Sequence, residues 1–326
     1  NDKFVIRTDG PDGELHDYEV RYTFGVVPLQ QYLVELDGGR LQALTIAWDS
    51  RKKSEGGQRW FHLYPDDEIS VNDELHWTRA SFNWNGMCAE CHSTNLQKNY
   101  DSKTDAFKTS WSEIDVSCES CHGPASNHIS WANKKPEDRA GFNKGLELLL
   151  DERDAVIWRM DSKKGSAVRS HKRETDKEIE VCAQCHSRRG SISDDYSPGK
   201  PFLDHYMPRL LDQDMYFADG QIQDEVYVYG SFLQSKMYHQ GVTCSDCHEP
   251  HSLQLRQEGN GVCLQCHEAE KFDSKKHHFH DMGDAGASCA ECHMPPRDYM
   301  VVDPRHDHSM RIPRPDLSVK TGVPNA

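Results

Sequence analysis

The chain has 326 residues, a formal net charge of −15 and 36% hydrophobic residues. Its acidity excludes nucleic acid, which needs a basic footprint, and no apolar run reaches the 18 or so residues of a membrane span. The apolar content stays below the roughly 45–50% of ordinary domains even with glycine counted in place of tyrosine, so side chains alone would build a thin core.

Residues 1–80 contain no cysteine. Residues 18–27 and 31–48 are rich in Tyr, Val, Leu, Ile and Thr. Asp37, Gly38 and Gly39 stand between 32–36 and 40–47 as a hairpin turn. This predicts a small β-rich module over 1–80, followed by a second region over 81–326. The charged stretch 134–180 is a sub-boundary within that region, and 146–159 reads as helical. Residues 206–211 and 226–238 are further short elements. The proline-bearing tail, 304–326, reads as extended chain.

The second region carries six copies of Cys-x-x-Cys-His: Cys88-Cys91-His92, Cys118-Cys121-His122, Cys182-Cys185-His186, Cys244-Cys247-His248, Cys263-Cys266-His267 and Cys289-Cys292-His293. Their spacing is irregular, so this is no solenoid. All 12 cysteines are used. Zinc sites and disulfides also pair cysteines, but neither needs a histidine after every second one. The pattern is the attachment signature of c-type haem. Positions i, i+3 and i+4 share one face of a helical turn, so two thiols can bond one porphyrin while the histidine reaches its iron. Ser117, Thr243 and Ser288 are placed to start such turns, and Pro124, Pro250 and Pro295 to stop them. The expected cofactors are six c-type haems, whose apolar bulk would make good the thin core.

With 19 histidines in the chain and six inside motifs, 13 remain as second axial ligands. His251 is too close to His248, across Pro250, to reach the far side of the same haem, so it serves a neighbour. The same holds for His128, six residues after His122. His308 follows the last motif at loop distance. One of His277, His278 and His280 is expected to ligate, and His278 is preferred. His205 and His76 complete the distal set, with His62 and His239 in reserve. His16, His171 and His306 read as exposed. Met237 reads as packing, and Arg188 and Arg189 as partners for haem propionates.

Residues 58–65 (QRWFHLYP), 83–95 (NWNGMCAECHSTN), 111–128 (WSEIDVSCESCHGPASNH), 241–253 (GVTCSDCHEPHSL) and 307–317 (DHSMRIPRPDL) resemble a family of multihaem cytochromes c. These are large secreted proteins, often fused to tetratricopeptide repeats and distantly related to multihaem nitrite reductases and hydroxylamine oxidoreductases. The CHGPxxxH and DCHxPH extensions imply His128 and His251 as ligands. The family pattern extends beyond both ends of this sequence, which is expected to match its central part.

The fold class expected is a multihaem cytochrome c with little regular structure: short helices and loops wrapped around a haem array, beside the β-rich module. The expected function is electron transfer through bis-histidine haems, in the periplasm or outside the cell after removal of a secretion signal. Partners would be other redox proteins or copies of the chain itself, up to a homopolymeric filament. The alternative is a multihaem oxidoreductase of a small nitrogen or sulfur compound, with one open iron. No motif has lysine in place of its histidine, which favours conduction.

Overall fold

The computed structural model describes residues 3–324. The chain divides into two compact units, Asn1–Ser120 with Asp298–Pro304, and Cys121–Arg297 with Arg305–Ala326.

The first unit is built on a six-stranded antiparallel sheet. Its strands are β1 (Val5–Asp9), β2 (Leu15–Phe24), β3 (Leu29–Leu36), β4 (Arg40–Ala43), β5 (Ile46–Asp49) and β6 (Arg59–His62). β3 pairs with β2 along one edge, with a bulge between Val20 and Tyr22. Its other edge is shared by β4 and then β5. Successive side chains of a strand point to opposite faces, and β3 shows this. Leu29 and Leu33 pack with Leu41, Ala47, Phe61, Phe82 and Trp84, and Val302 joins them. Val34 packs with Leu44 and Trp77 on the other side.

The turn expected at residues 37–39 is there, joining β3 to β4 with Leu36 opposite Arg40. Gly38 and Gly39 take φ of 75° and 69°, a region open to glycine and costly for other residues. A Cβ on Gly39 would lie 2.4 Å from the Phe107 carbonyl oxygen. Gly39→Ala is therefore expected to destabilise this unit by more than about 1 kcal/mol, read as a lower urea midpoint of the sheet's far-UV signal. An unchanged midpoint would contradict this account of the turn.

The second unit has much less regular structure. Its longest helix among the described residues is Lys177–His186. Two-residue to four-residue hairpins accompany it, such as Trp158–Asp161 with Ser166–Arg169. Buried apolar residues gather there in a small group, Ala183, Phe202 and Tyr206. The helix expected over 146–159 does not form. Leu148 N–H donates to the His122 carbonyl, Ala155 has a φ of 60°, and a strand begins at Trp158. Backbone groups spent on a distant segment cannot close a helical ladder. The tail is not wholly extended either. Pro315–Thr321 is helical, with proline in its first turn, and ends at Gly322 with φ 73°, the usual asymmetry of proline at the start and glycine past the end.

Candidate haem sites

The motif turns form where the spacing requires them. Helices run through the histidine at Ala89–His92, Glu119–His122, Lys177–His186 and Cys289–His293. In the fourth motif the helix is Cys244–Cys247 and His248 already turns into extended backbone. In the fifth it covers Gly261–Leu264 only. Thr243 caps the fourth turn in a box with Asp246, which satisfies two donors at the helix start. Ser288 precedes the sixth turn without a side-chain cap.

The first motif is anchored to the sheet by asparagines. Asn83 Oδ1 accepts from Gly86 N–H at 3.0 Å, and Asn83 Nδ2 donates to Gln42 Oε1 at 2.9 Å. Asn85 Oδ1 accepts from Leu41 N–H at 2.7 Å. These bonds tie the turn carrying Cys88 to β4, which a sequence pattern of apolar residues does not reveal.

No disulfide joins any of the twelve cysteines. Two pairs from different motifs meet. Cys182 contacts Cys244, and that contact, followed by burial, pushes the Cys182 thiol up. Cys263 contacts Cys289, which is pushed up while Cys263 is held down. Burial raises Cys247 to about 11. The third and fourth motifs therefore adjoin, as do the fifth and sixth.

The histidines show a second order. His122 faces His251 with ring centroids 6.2 Å apart and planes 18° from parallel. His248 faces His308 at 6.2 Å and 20°. His293 faces His277 at 6.1 Å and 12°. An imidazole nitrogen sits about 2 Å from a bound transition metal and about 1.2 Å from its own ring centre, so two rings on opposite sides of one metal have centres about 6.4 Å apart. Offset ring stacking reaches similar separations, and His278–His280, at 6.4 Å and 22°, has that geometry too; in each of the three pairs above, one ring also presents a bare nitrogen. His122 Nδ1 bonds the Leu148 carbonyl at 2.9 Å, His308 Nδ1 that of His306 at 2.8 Å, and His293 Nδ1 that of Arg311 at 2.5 Å. A carbonyl only accepts, so Nδ1 carries the proton and Nε2 of the neutral ring is a bare lone pair. A backbone carbonyl on the other nitrogen is the usual second shell of a metal-bound histidine. Among the described residues no three of His, Cys, Asp and Glu converge as a protein-only metal site would need. Pairs of histidines beside paired thiols on a helical turn fit c-type haem.

Burial keeps several of these rings neutral, the form that binds metal. It lowers His308 to about 4. It also lowers His248, His267 with help from His293, and His186 with help from His248 and Arg305. His186 is exposed to solvent as a residue while crowded by protein atoms.

Other sequence candidates fall differently. His76 is buried with both nitrogens engaged, Nδ1 by Thr78 Oγ1 at 2.8 Å and Nε2 by Asp9 Oδ2 at 3.0 Å, so no lone pair is left for iron. His278 accepts from His280 N–H on Nδ1 at 3.2 Å, which puts the proton of its neutral ring on Nε2. His277, its neighbour on the Lys275–His278 helix, is the ring that faces His293. His205 is buried, with Nδ1 3.3 Å from Asp195 Oδ1 but not aligned for a hydrogen bond. His128 Nδ1 bonds the Lys144 carbonyl at 2.8 Å, leaving its Nε2 bare. His306, expected on the surface, has the same arrangement on the Met294 carbonyl at 2.6 Å. Arg189 stacks on Tyr206, 3.9 Å from the ring centre, and Arg188 donates to the Glu225 carbonyl.

Residues 47–123 match the family described as cytochrome c554 and c-prime, and residues 237–272 match a doubled CXXCH motif. No curated protein and no solved structure matches the chain. The motifs and these two matches support a multihaem c-type cytochrome family, with c-type haem as cofactor. They support haem-based electron transfer as its activity. No helix among the described residues is long and apolar enough to cross a membrane.

Proposed function

We propose that the chain is an electron conduit outside the cytoplasm, holding six c-type haems, each iron between two histidines. The observation that carries this reading is the set of facing rings at 6.1–6.2 Å. His122 and His251 hold the second iron, His248 and His308 the fourth, His293 and His277 the sixth. For the irons of His186 and His267, the bare Nε2 atoms of His128 and His306, in the same unit, are the candidate partners, and for that of His92 the candidate is His62. When bound, each haem supplies an iron that gains and loses one electron. The histidines around it would hold the iron in a form suited to electron transfer over substrate binding. His251 sits three residues past His248 yet faces His122, so one short loop ties two haems together. The thiol contacts Cys182–Cys244 and Cys263–Cys289 support close porphyrin edges.

The test is the haem content and oxidised spectrum of the holoprotein. Six haems per chain and wholly low-spin ferric signals are expected. A stoichiometric high-spin signal would overturn the bis-histidine reading and favour the open-site oxidoreductase. Electron microscopy and sedimentation of the same preparation decide whether copies stack end to end: fibres support a filament, and monomers at all concentrations end that idea.

A further inference from the structure

Glu178 is a buried carboxylate, 4% exposed, placed where the third and fourth motifs meet. Its Oε1 accepts from Ser245 N–H at 2.6 Å and its Oε2 from the Ser245 hydroxyl at 2.9 Å. Ser245 lies between the cysteines of the fourth motif. Glu178 itself is one helical turn before Cys182, on the same face, and Cys182 touches Cys244. The carboxylate is therefore clamped between the first thioether positions of two haems.

The charges facing it come from three segments. On the 150–156 loop, Glu152 Oε1 accepts from Glu178 N–H at 3.1 Å and from Thr175 Oγ1 at 2.7 Å, while its Oε2 is buried without a partner. On the fourth motif, Asp246 lies close by, with Arg153 3.6 Å from it. Arg169 donates to the Glu152 carbonyl and Arg256 to the Ser245 carbonyl, so the described bonds of both guanidiniums go to backbone oxygens and not to the Glu178 carboxylate. Burial, then Glu152 and Asp246, push Glu178 above the usual carboxylate range, against the pull of Ser245. No lysine or arginine is paired with the Glu178 carboxylate among the interactions described.

An added negative charge nearby favours the protonated form of a carboxyl, and more so in a low-dielectric surround. Resting on the six-haem reading above, we propose that Glu178 is a redox-linked proton site. It takes up one proton from solvent as one electron arrives at the third or fourth motif from a redox partner, and returns it when the electron leaves. The O–H bond forms on a Glu178 oxygen and breaks on reoxidation, so charge at this buried junction is balanced at each step. The chain then conducts electrons with a built-in dependence on pH. The sign follows. Between the proton affinities of the oxidised and reduced states, raising pH removes the compensating proton and lowers the midpoint potential.

The experiment is spectroelectrochemical titration of the full holoprotein across pH. At full coupling one component shifts by about 59 mV per tenfold change in proton concentration for one electron. Glu178→Gln is expected to abolish that slope and leave the other components in place. Ser245→Ala removes a donor that stabilises the carboxylate, so the sloping region moves to higher pH; this variant keeps the test decisive should Glu178→Gln fold poorly. Redox-difference infrared spectra of the wild type should gain a protonated-carboxyl band on reduction. A slope retained in Glu178→Gln, an unmoved window in Ser245→Ala, or the absence of that band overturns the proposal. The oxidised spin state, read on the same samples, reports separately on the ligation reading.

Discussion

His251→Ala turns one iron of the holoprotein high-spin and, after reduction, lets it bind one carbon monoxide per chain. The effect is large because an iron held by two imidazoles has no site for an exogenous ligand, and loss of one imidazole opens it. The fold is expected to survive. The variant removes an axial bond, but the two thioethers and the proximal histidine would still hold that haem, and far-UV spectra on the same sample check the fold. The open iron should be that of the second motif, because the His251 ring faces His122. His277→Ala should do the same at the sixth motif, whereas His278→Ala should not. His171→Ala, at an exposed histidine outside these pairs, serves as the control. An unchanged low-spin spectrum in His251→Ala would remove that histidine from the ligand set.

Without haem attachment, the second unit is expected to lose its structure while the sheet of the first persists. Ordering each residue's backbone costs about 1–2 kcal/mol, and a fully buried large apolar side chain returns about 1.5–3 kcal/mol. In the first unit Leu33, Phe61, Phe82 and Trp84 lie in one continuous core on a six-stranded sheet. In the second unit the connected buried cluster is only Ala183, Phe202 and Tyr206; other buried apolar residues, such as Ile179, Val226, Phe232 and Val242, lie outside it, and the chain is longer. Its fold must draw on bonds to something other than its own side chains, as metal-coupled domains do. Limited proteolysis of chain lacking haem should leave a protected fragment containing β1 to β6 and digest residues 121–297 quickly. Protection of 121–297 in that sample would contradict this balance.

How far the sequence reaches differs by level. The Asp37–Gly39 turn was legible because left-handed backbone and alternating strands leave local marks. The motif turns were legible because the chemistry needs a fixed local spacing. The 146–159 stretch was misread as helix because its backbone partner, the His122 carbonyl, lies far away in the chain. His76 next to Trp77 reads as a ligand in the sequence; in the structure its ring is hydrogen-bonded to Asp9, a residue 67 positions earlier. His277 and His278 are adjacent and alike in sequence. The Lys275–His278 helix separates them by about 100° of rotation, so only one can face His293.

The amino-acid sequence by itself determined the cofactor class, because covalent attachment writes both thiols and the proximal histidine into five consecutive residues. Which histidines face one another was decided only by the tertiary structure. Facing rings are brought to within 6.2 Å of each other by chain whose length varies from a separation of 16 positions for His277 and His293 to 129 for His122 and His251. For His122 and His293 the tautomer that leaves Nε2 bare depends in turn on a carbonyl from another segment, which no local pattern records.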